Sequence, residues 1–155
     1  MAENKQQNAA QKEDLNDLMR VRREKMEKFR EMGVAPFGHR YEVTRHADEL
    51  LAEFASLGEE AESETEVSIA GRLMAIRGHG KASFAVLMDL SGKIQIYFKL
   101  DVLGEEKYKE FKLLDIGDII GVRGVVFRTR RGELTVRVDD FTLLSKSLRP
   151  LPEKF

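Results

Sequence analysis

The sequence predicts a mainly β fold, a five-stranded closed barrel preceded by a helical extension. Three observations predict it. Apolar residues recur every three to four positions before Gly58 and every second position after Val67. Five alternating runs follow, most of them ended by turn residues such as Ser91-Gly92 and Arg131-Gly132. A helical segment, rather than a turn, separates the third run from the fourth.

Residues 1–12 are rich in Gln, Asn and Ala, bury little, and are expected to be a disordered tail. Residues 13–65 form a helical extension and linker. The first helix is expected from about Asp14 to Met32, with Leu15, Leu18, Met19, Met26, Phe29 and Met32 as its apolar positions. Asp14 and Asp17 suit its first turn and Gly33 stops it. Its basic residues are interleaved with Glu24, Glu27 and Glu31, as on a solvated face with (i, i+4) pairs. Contact of this helix with RNA is the minority reading. Pro36 disfavours helix at Ala35, so Gly33 to Gly38 reads as a turn or extended segment. Thr44 is expected to cap a second helix over Arg45–Leu57, and Glu59 to Glu66 reads as an acidic linker.

The strands are expected at about Glu66–His79, Ser83–Leu90, Lys93–Lys99, Asp118–Thr129 and Glu133–Ser145. Leu103–Leu114, with Tyr108, Phe111, Leu113 and Leu114, supplies a helical plug. Three strands, a helix and two strands over residues 66–146 are the order of an OB-fold barrel. An SH3-like barrel is the competitor, and it normally lacks a full helix at that point.

Taking Ser91-Gly92 as a two-residue loop pairs Leu90 with Lys93, Met88 with Gln95, Val86 with Tyr97 and Phe84 with Lys99. Side chains alternate between faces. Ala85, Leu87, Ile94, Ile96 and Phe98 then fill the interior. Phe84, Val86, Met88, Gln95, Tyr97 and Lys99 share the outer face. Aromatic rings, an amide and a cation together suit single-stranded nucleic acid: rings stack on bases, the amide reads a base edge, and lysine neutralises phosphate. The bland alternative is that the N-terminal helix covers Phe84 and Tyr97. In the last hairpin Val125, Phe127, Leu134, Val136 and Val138 are expected to point inward. Arg123, Arg128, Arg130, Arg131 and Arg137 gather near its turn. Glu133, the lone acid there, either pairs with an arginine or accepts from a base N–H.

Composition narrows the classes. The absence of cysteine removes disulfide and thiolate metal sites. His39, His46 and His79 lack the spacing of a metal site or a catalytic triad. Gly78-His79-Gly80-Lys81 is too short for a phosphate-binding P-loop. No apolar run reaches the roughly 20 residues needed to span a bilayer, and the polar start lacks the apolar core of a secretory signal. A soluble, cytoplasmic chain is expected. Residues 1–66 hold 10 Lys+Arg against 16 Asp+Glu, whereas residues 67–155 hold 16 against 11. A basic C-terminal part is compatible with a polyanionic partner.

The stretch Gly71-Arg72-Leu73-Met74-Ala75-Ile76-Arg77-Gly78-His79-Gly80-Lys81-Ala82-Ser83-Phe84, followed by Asp89-Leu90-Ser91-Gly92-Lys93-Ile94-Gln95, resembles the anticodon-binding domain of class IIb aminoacyl-tRNA synthetases. That group comprises the lysyl, aspartyl and asparaginyl enzymes. Arg22-Arg23-Glu24-Lys25 through Pro36-Phe37, Arg131-Gly132-Glu133-Leu134-Thr135, and Leu143 to Phe155 are similar to the bacterial lysyl members. The likeness covers about residues 13–155. It implies a module that binds the anticodon loop of tRNA. Phe84 would stack on the central uridine, Gln95 would read its edge, and Arg77 and Glu133 would make further anticodon contacts. Lys81, Tyr97, Lys99, Arg128, Arg130 and Arg131 are additional candidates from the residue reading. The choice of lysyl over aspartyl rests on resemblance, since both read a central uridine.

The resemblance also implies a homodimeric parent that attaches lysine to tRNA using ATP and magnesium. The catalytic domain of such an enzyme would follow Phe155. The 155-residue chain is therefore expected to hold no catalytic residues, metal or cofactor, and residues 147–155 to be a linker toward that domain. Two other functions stay open at this point: a sequence-neutral single-strand binder, and a structural or dimerisation domain.

Overall fold

The computed structural model describes residues 2–31 and 41–148. Helix α1 spans Ala2–Glu31, so it starts before the expected Asp14 and runs through residues expected as a disordered tail. Ala, Gln, Lys and Glu are strong helix formers, which suits a helix that continues back from Asp14. Among its described side chains, Arg22, Lys25 and Phe29 of the second half meet the rest of the chain. Phe29 is fully buried, while Leu15 and Leu18 are 40% and 50% exposed. The expected turn over Gly33 to Gly38, and Met32, lie outside the described residues.

Helix α2, Ala47–Glu53, is shorter than expected. Thr44 is not its cap. Its hydroxyl accepts from the Ser68 N–H at 2.9 Å and so ties the chain to the barrel. The N-terminus of α2 is capped from a distant loop: Asp89 Oδ2 accepts from Ala47 N–H at 2.8 Å and Ser91 Oγ from Asp48 N–H at 3.1 Å. These bonds satisfy backbone donors that a helix start leaves open.

The strands are β1 (Glu62–His79), β2 (Ala82–Met88), β3 (Lys93–Lys99), β4 (Ile119–Arg128) and β5 (Leu134–Ser145). They close in the order β1-β2-β3-β5-β4, with β3 and β5 parallel and the other pairs antiparallel. Short helices α3 (Leu100–Leu103) and α4 (Glu105–Lys112) lie between β3 and β4, where the plug was expected. Phe98 stacks on Phe111 at 4.2 Å, so α4 seals the interior with its aromatic face. β1 begins four residues before the expected start. Glu62 pairs with Phe127 of β4, and its carboxylate accepts from Arg137 Nη1 at 2.6 Å, which draws the acidic segment into the sheet.

Two expectations about register are corrected. In the β2–β3 hairpin Met88 pairs with Lys93, Val86 with Gln95, Phe84 with Tyr97 and Ala82 with Lys99. The loop therefore has four residues, Asp89 to Gly92. Asp89 Oδ1 organises it by accepting from Ser91 N–H, Ser91 hydroxyl and Gly92 N–H at 2.8, 2.6 and 3.1 Å. Partial burial pushes the Asp89 carboxyl up, but the bonds from Ser91, Ala47 and Gly92 outweigh it and hold the group below the usual carboxylate range. A slip of two residues keeps every side chain on its face, so Ala85, Leu87, Ile94, Ile96 and Phe98 are all buried as expected. In β4 the expected face is wrong. Ile120, Val122 and Val126 are fully buried, whereas Val125 and Phe127 lie outside, half-buried. Leu134, Val136 and Val138 of β5 do point inward. An irregularity at Arg123/Gly124 accompanies this β4–β5 pairing. A Cβ at Gly124 would strike the carbonyl oxygen of Arg137, so only glycine permits the approach.

The far side of the barrel carries a buried charge cluster. Lys146 Nζ donates to Asp115 Oδ2 and Asp118 Oδ2, both at 2.7 Å, and Lys25 of α1 donates to Asp115 Oδ1 at 2.8 Å. Ser147 N–H donates to Asp118 Oδ1 at 2.8 Å. Burial pushes the Asp115 carboxyl up, yet the two lysines outweigh it and hold it low. The cluster fastens α1 and the chain leaving β5 to one corner. Among the described residues no helix is long and apolar enough to cross a membrane.

Candidate nucleic-acid interface

An open groove of about 730 Å³ crosses the outside of the barrel. β1 contributes Arg77 and Gly78, β2 Phe84, β3 Gln95 and Tyr97, and β4 Phe127. The β4–β5 turn adds Thr129, Arg130, Arg131 and Glu133. Strand alternation explains the first group, because Arg77 pairs with Phe84 and Phe84 with Tyr97 across neighbouring strands. Gly78 allows β1 and β2 to approach closely at the rim, where it pairs with Ser83. Its φ is +126°, and a Cβ there would meet the Ala82 carbonyl oxygen at 2.7 Å.

Three rings form the floor. Phe84 stacks on Tyr97 with centroids 4.6 Å apart and planes 29° apart, and Tyr97 meets Phe127 edge-on at 6.1 Å. All three are half-buried, so each presents ring surface to solvent. Helix α1 is held at Asp115 and Ser147, away from these rings.

Polar groups border the floor. Gln95 Nε2 donates to Thr135 Oγ1 at 3.1 Å. Arg77 and Arg131 are exposed and make no side-chain hydrogen bond or ion pair among the described residues. Arg130 meets Glu60 at 3.6 Å with 91% of its side chain exposed, a contact of little energetic weight. The Glu133 carboxylate pairs with none of the arginines among the described residues, contrary to the bland expectation. The turn itself is fixed. Thr129 N–H donates to the Glu133 carbonyl at 2.9 Å, Glu133 N–H to Thr129 Oγ1 at 3.1 Å, and Gly132 N–H to the Thr129 carbonyl at 2.9 Å.

The four residues implied by the resemblance, Arg77, Phe84, Gln95 and Glu133, thus converge on one groove, with Tyr97, Arg130 and Arg131. Three further candidates do not line it. Arg128 is spent on backbone carbonyls, donating to Leu57, to Phe54 at 3.0 Å and to Gly132 at 2.7 Å. Lys81 borders a separate depression beside Tyr108 and Lys112 of α4, and Lys99 is exposed at the end of β3. Arg123 and Arg137 pair with acids: Arg123 with Glu66 and Asp140, Arg137 with Glu62 and Asp139.

Sequence reasoning missed Gly78, Phe127 and Thr129 of the groove lining, and Thr135 behind it. Phe127 was expected inside, because β4 is apolar on both parities and alternation alone cannot choose. The contact of Thr135 with Gln95 is not readable from the sequence, because it runs through the parallel β3–β5 pairing between non-consecutive strands. Chemically the groove can stack planar bases, offer an amide edge and a carboxylate, and neutralise phosphate. Among the described residues no group of three His, Cys, Asp or Glu is placed to hold a metal ion.

Comparison with known proteins agrees with this geometry. A family model described as an OB-fold nucleic acid binding domain, of the tRNA anticodon type, matches residues 67–144. A lysine–tRNA ligase of Bacillus cereus (strain AH187) is 51% identical over 145 residues, covering 92% of this chain and 29% of that protein. The lysine–tRNA ligase of Carboxydothermus hydrogenoformans is 53% identical over 143 residues, with 92% and 28% covered. That of Staphylococcus epidermidis is 49% identical over 147 residues, with 92% and 30% covered. The chain spans less than a third of the length of these relatives. With its five-strand barrel, its aromatic groove and a match over half its length, the chain belongs to the tRNA anticodon family of OB-fold nucleic acid binding domains.

Proposed function

We propose that the groove binds the anticodon loop of a lysine tRNA, and that the chain is the recognition module of a lysine–tRNA ligase. The convergence of Arg77, Phe84, Gln95 and Glu133 on one groove carries this reading, and the similarity to lysine–tRNA ligases supports it. Phe84, backed by Tyr97, stacks on the central uridine. Gln95 pairs with the edge of that base. Arg77 and Arg131 attract the backbone, and the Glu133 carboxylate accepts from a neighbouring base. Lysine attachment, with ATP and magnesium, belongs in this reading to the longer, homodimeric protein.

Titration of the chain with a lysine anticodon stem-loop and with a scrambled loop tests it. The cognate loop is expected to bind more tightly, and Phe84→Ala to cost about 1–3 kcal/mol of that binding. Equal affinity for both loops, with a steep salt dependence, would make the protein a sequence-neutral single-strand binder. A chain that dimerises and binds neither loop would make it a structural domain.

A further inference from the structure

The hydrogen bonds behind Gln95 have a direction. Thr135 is fully buried, and its hydroxyl donates to the Glu133 carbonyl oxygen at 3.1 Å. That carbonyl already accepts from Thr129 N–H at 2.9 Å, so both of its lone pairs are engaged and the turn is rigid. A hydroxyl has one hydrogen. Having given it to Glu133, Thr135 can only accept from Gln95, and it faces Nε2 at 3.1 Å. The reverse amide orientation would set Oε1 against a hydroxyl oxygen with no hydrogen to offer. The reverse orientation could be met only by turning the hydroxyl away from Glu133, one hydrogen bond fewer, so the Gln95 amide is held one way round by that difference, with Oε1 and the second N–H left for the groove.

We infer that Thr135 is a positioning residue that makes the groove read uracil rather than cytosine. The inference rests on the proposal that Gln95 reads a pyrimidine edge. Uracil and cytosine are the same size and stack alike, so Phe84 cannot separate them. They differ in the order of donors and acceptors. Uracil presents a donor at N3 beside the acceptor O4; cytosine presents an acceptor at N3 beside the N4 amino donor. A freely rotating amide serves both, since a half-turn exchanges its oxygen and nitrogen. An amide locked with Oε1 opposite N3 accepts from uracil and meets a lone pair on cytosine. Discrimination is thus built into a buried hydroxyl that touches no base.

Anticodon stem-loops with uridine or cytidine at the central position, titrated into the whole chain, test this. Wild type is expected to prefer uridine by about tenfold or more, the usual worth of one well-placed base-edge contact. Thr135→Val removes the hydroxyl at nearly constant shape, and the ratio is expected to narrow at least about fivefold, chiefly through tighter cytidine binding. Thr135→Ser keeps both hydrogen bonds and should restore the ratio. A Thr135→Val protein that folds and keeps the wild-type ratio overturns the inference. A wild-type protein without preference overturns the underlying reading of Gln95 instead. A readout free of RNA guards against a variant that fails to fold. In wild type and in Thr135→Ser, one Gln95 side-chain N–H should exchange with solvent more slowly than the other. Equal, fast exchange of both in wild type would also overturn the inference.

Discussion

The groove and the Lys146 cluster use the same residue types in opposite ways. At the cluster every charge is answered. Lys146 bridges two carboxylates, Lys25 adds a third contact, and Ser147 N–H fills Asp118. In the groove, Arg77, Arg131 and Glu133 are left without an ion pair among the described residues, and three rings stay half-exposed. Buried charge that is paired holds elements together; exposed charge and ring surface without such partners stay open to a ligand. Arg128 shows that residue type alone does not decide. It sits beside Arg130 and Arg131 in sequence but is consumed by three carbonyls.

The contrast can be broken from either side. The largest effect is expected at the cluster. Lys146→Met strands Asp118 and Asp115 without their cation and should cost about 3–5 kcal/mol of folding stability, measured by denaturant unfolding. A loss below about 1 kcal/mol would mean that the cluster holds little. Phe84→Ala should act the other way. Its loss in RNA affinity, about 1–3 kcal/mol, is expected to exceed its loss in stability, and a larger stability loss would make Phe84 a core residue. Arg131→Ala should leave stability within about 0.5 kcal/mol. It should lower the slope of log affinity against log salt by about one, whereas Arg128→Ala should mainly destabilise.

The smallest expected effect is in pH. Asp115 has a folded-state pKa held below its unfolded value, so the unfolded chain takes up the proton more readily. Its contribution is fully present above the unfolded value, near pH 4, and is lost as pH falls through the folded one. Asp115→Asn should flatten the stability profile in that acid range and leave it unchanged in shape near neutrality. An unaltered acid profile would remove Asp115 from the cluster's account.

Much of this was legible in advance, and the misses share a cause. The β2–β3 faces survived a wrong loop length, because a slip of two residues preserves alternation. Phe127 did not survive, because Ile119, Ile120, Val125 and Val126 supply apolar side chains on both parities. Phe84 and Gln95 stood out by alternation within one hairpin. Arg77 needed the family resemblance, and Glu133, legible only as a lone acid among arginines, needed it to gain a role, because periodicity says nothing about which end of a strand meets which turn.

The groove's centre, Phe84 and Gln95 on one outer face, was determined by sequence alone, as were the barrel class and the helical plug. Each depends on periodicity or on neighbours in the chain, which local sterics enforce. Only the tertiary structure decided that Phe127 joins the floor, that Arg128 is spent elsewhere, and that Gln95 donates to Thr135. Those facts come from closing β3 against β5, a contact between residues 40 positions apart, and from packing Arg128 against α2's end. No local pattern records such a closure, because its free energy arises only once the whole barrel has formed.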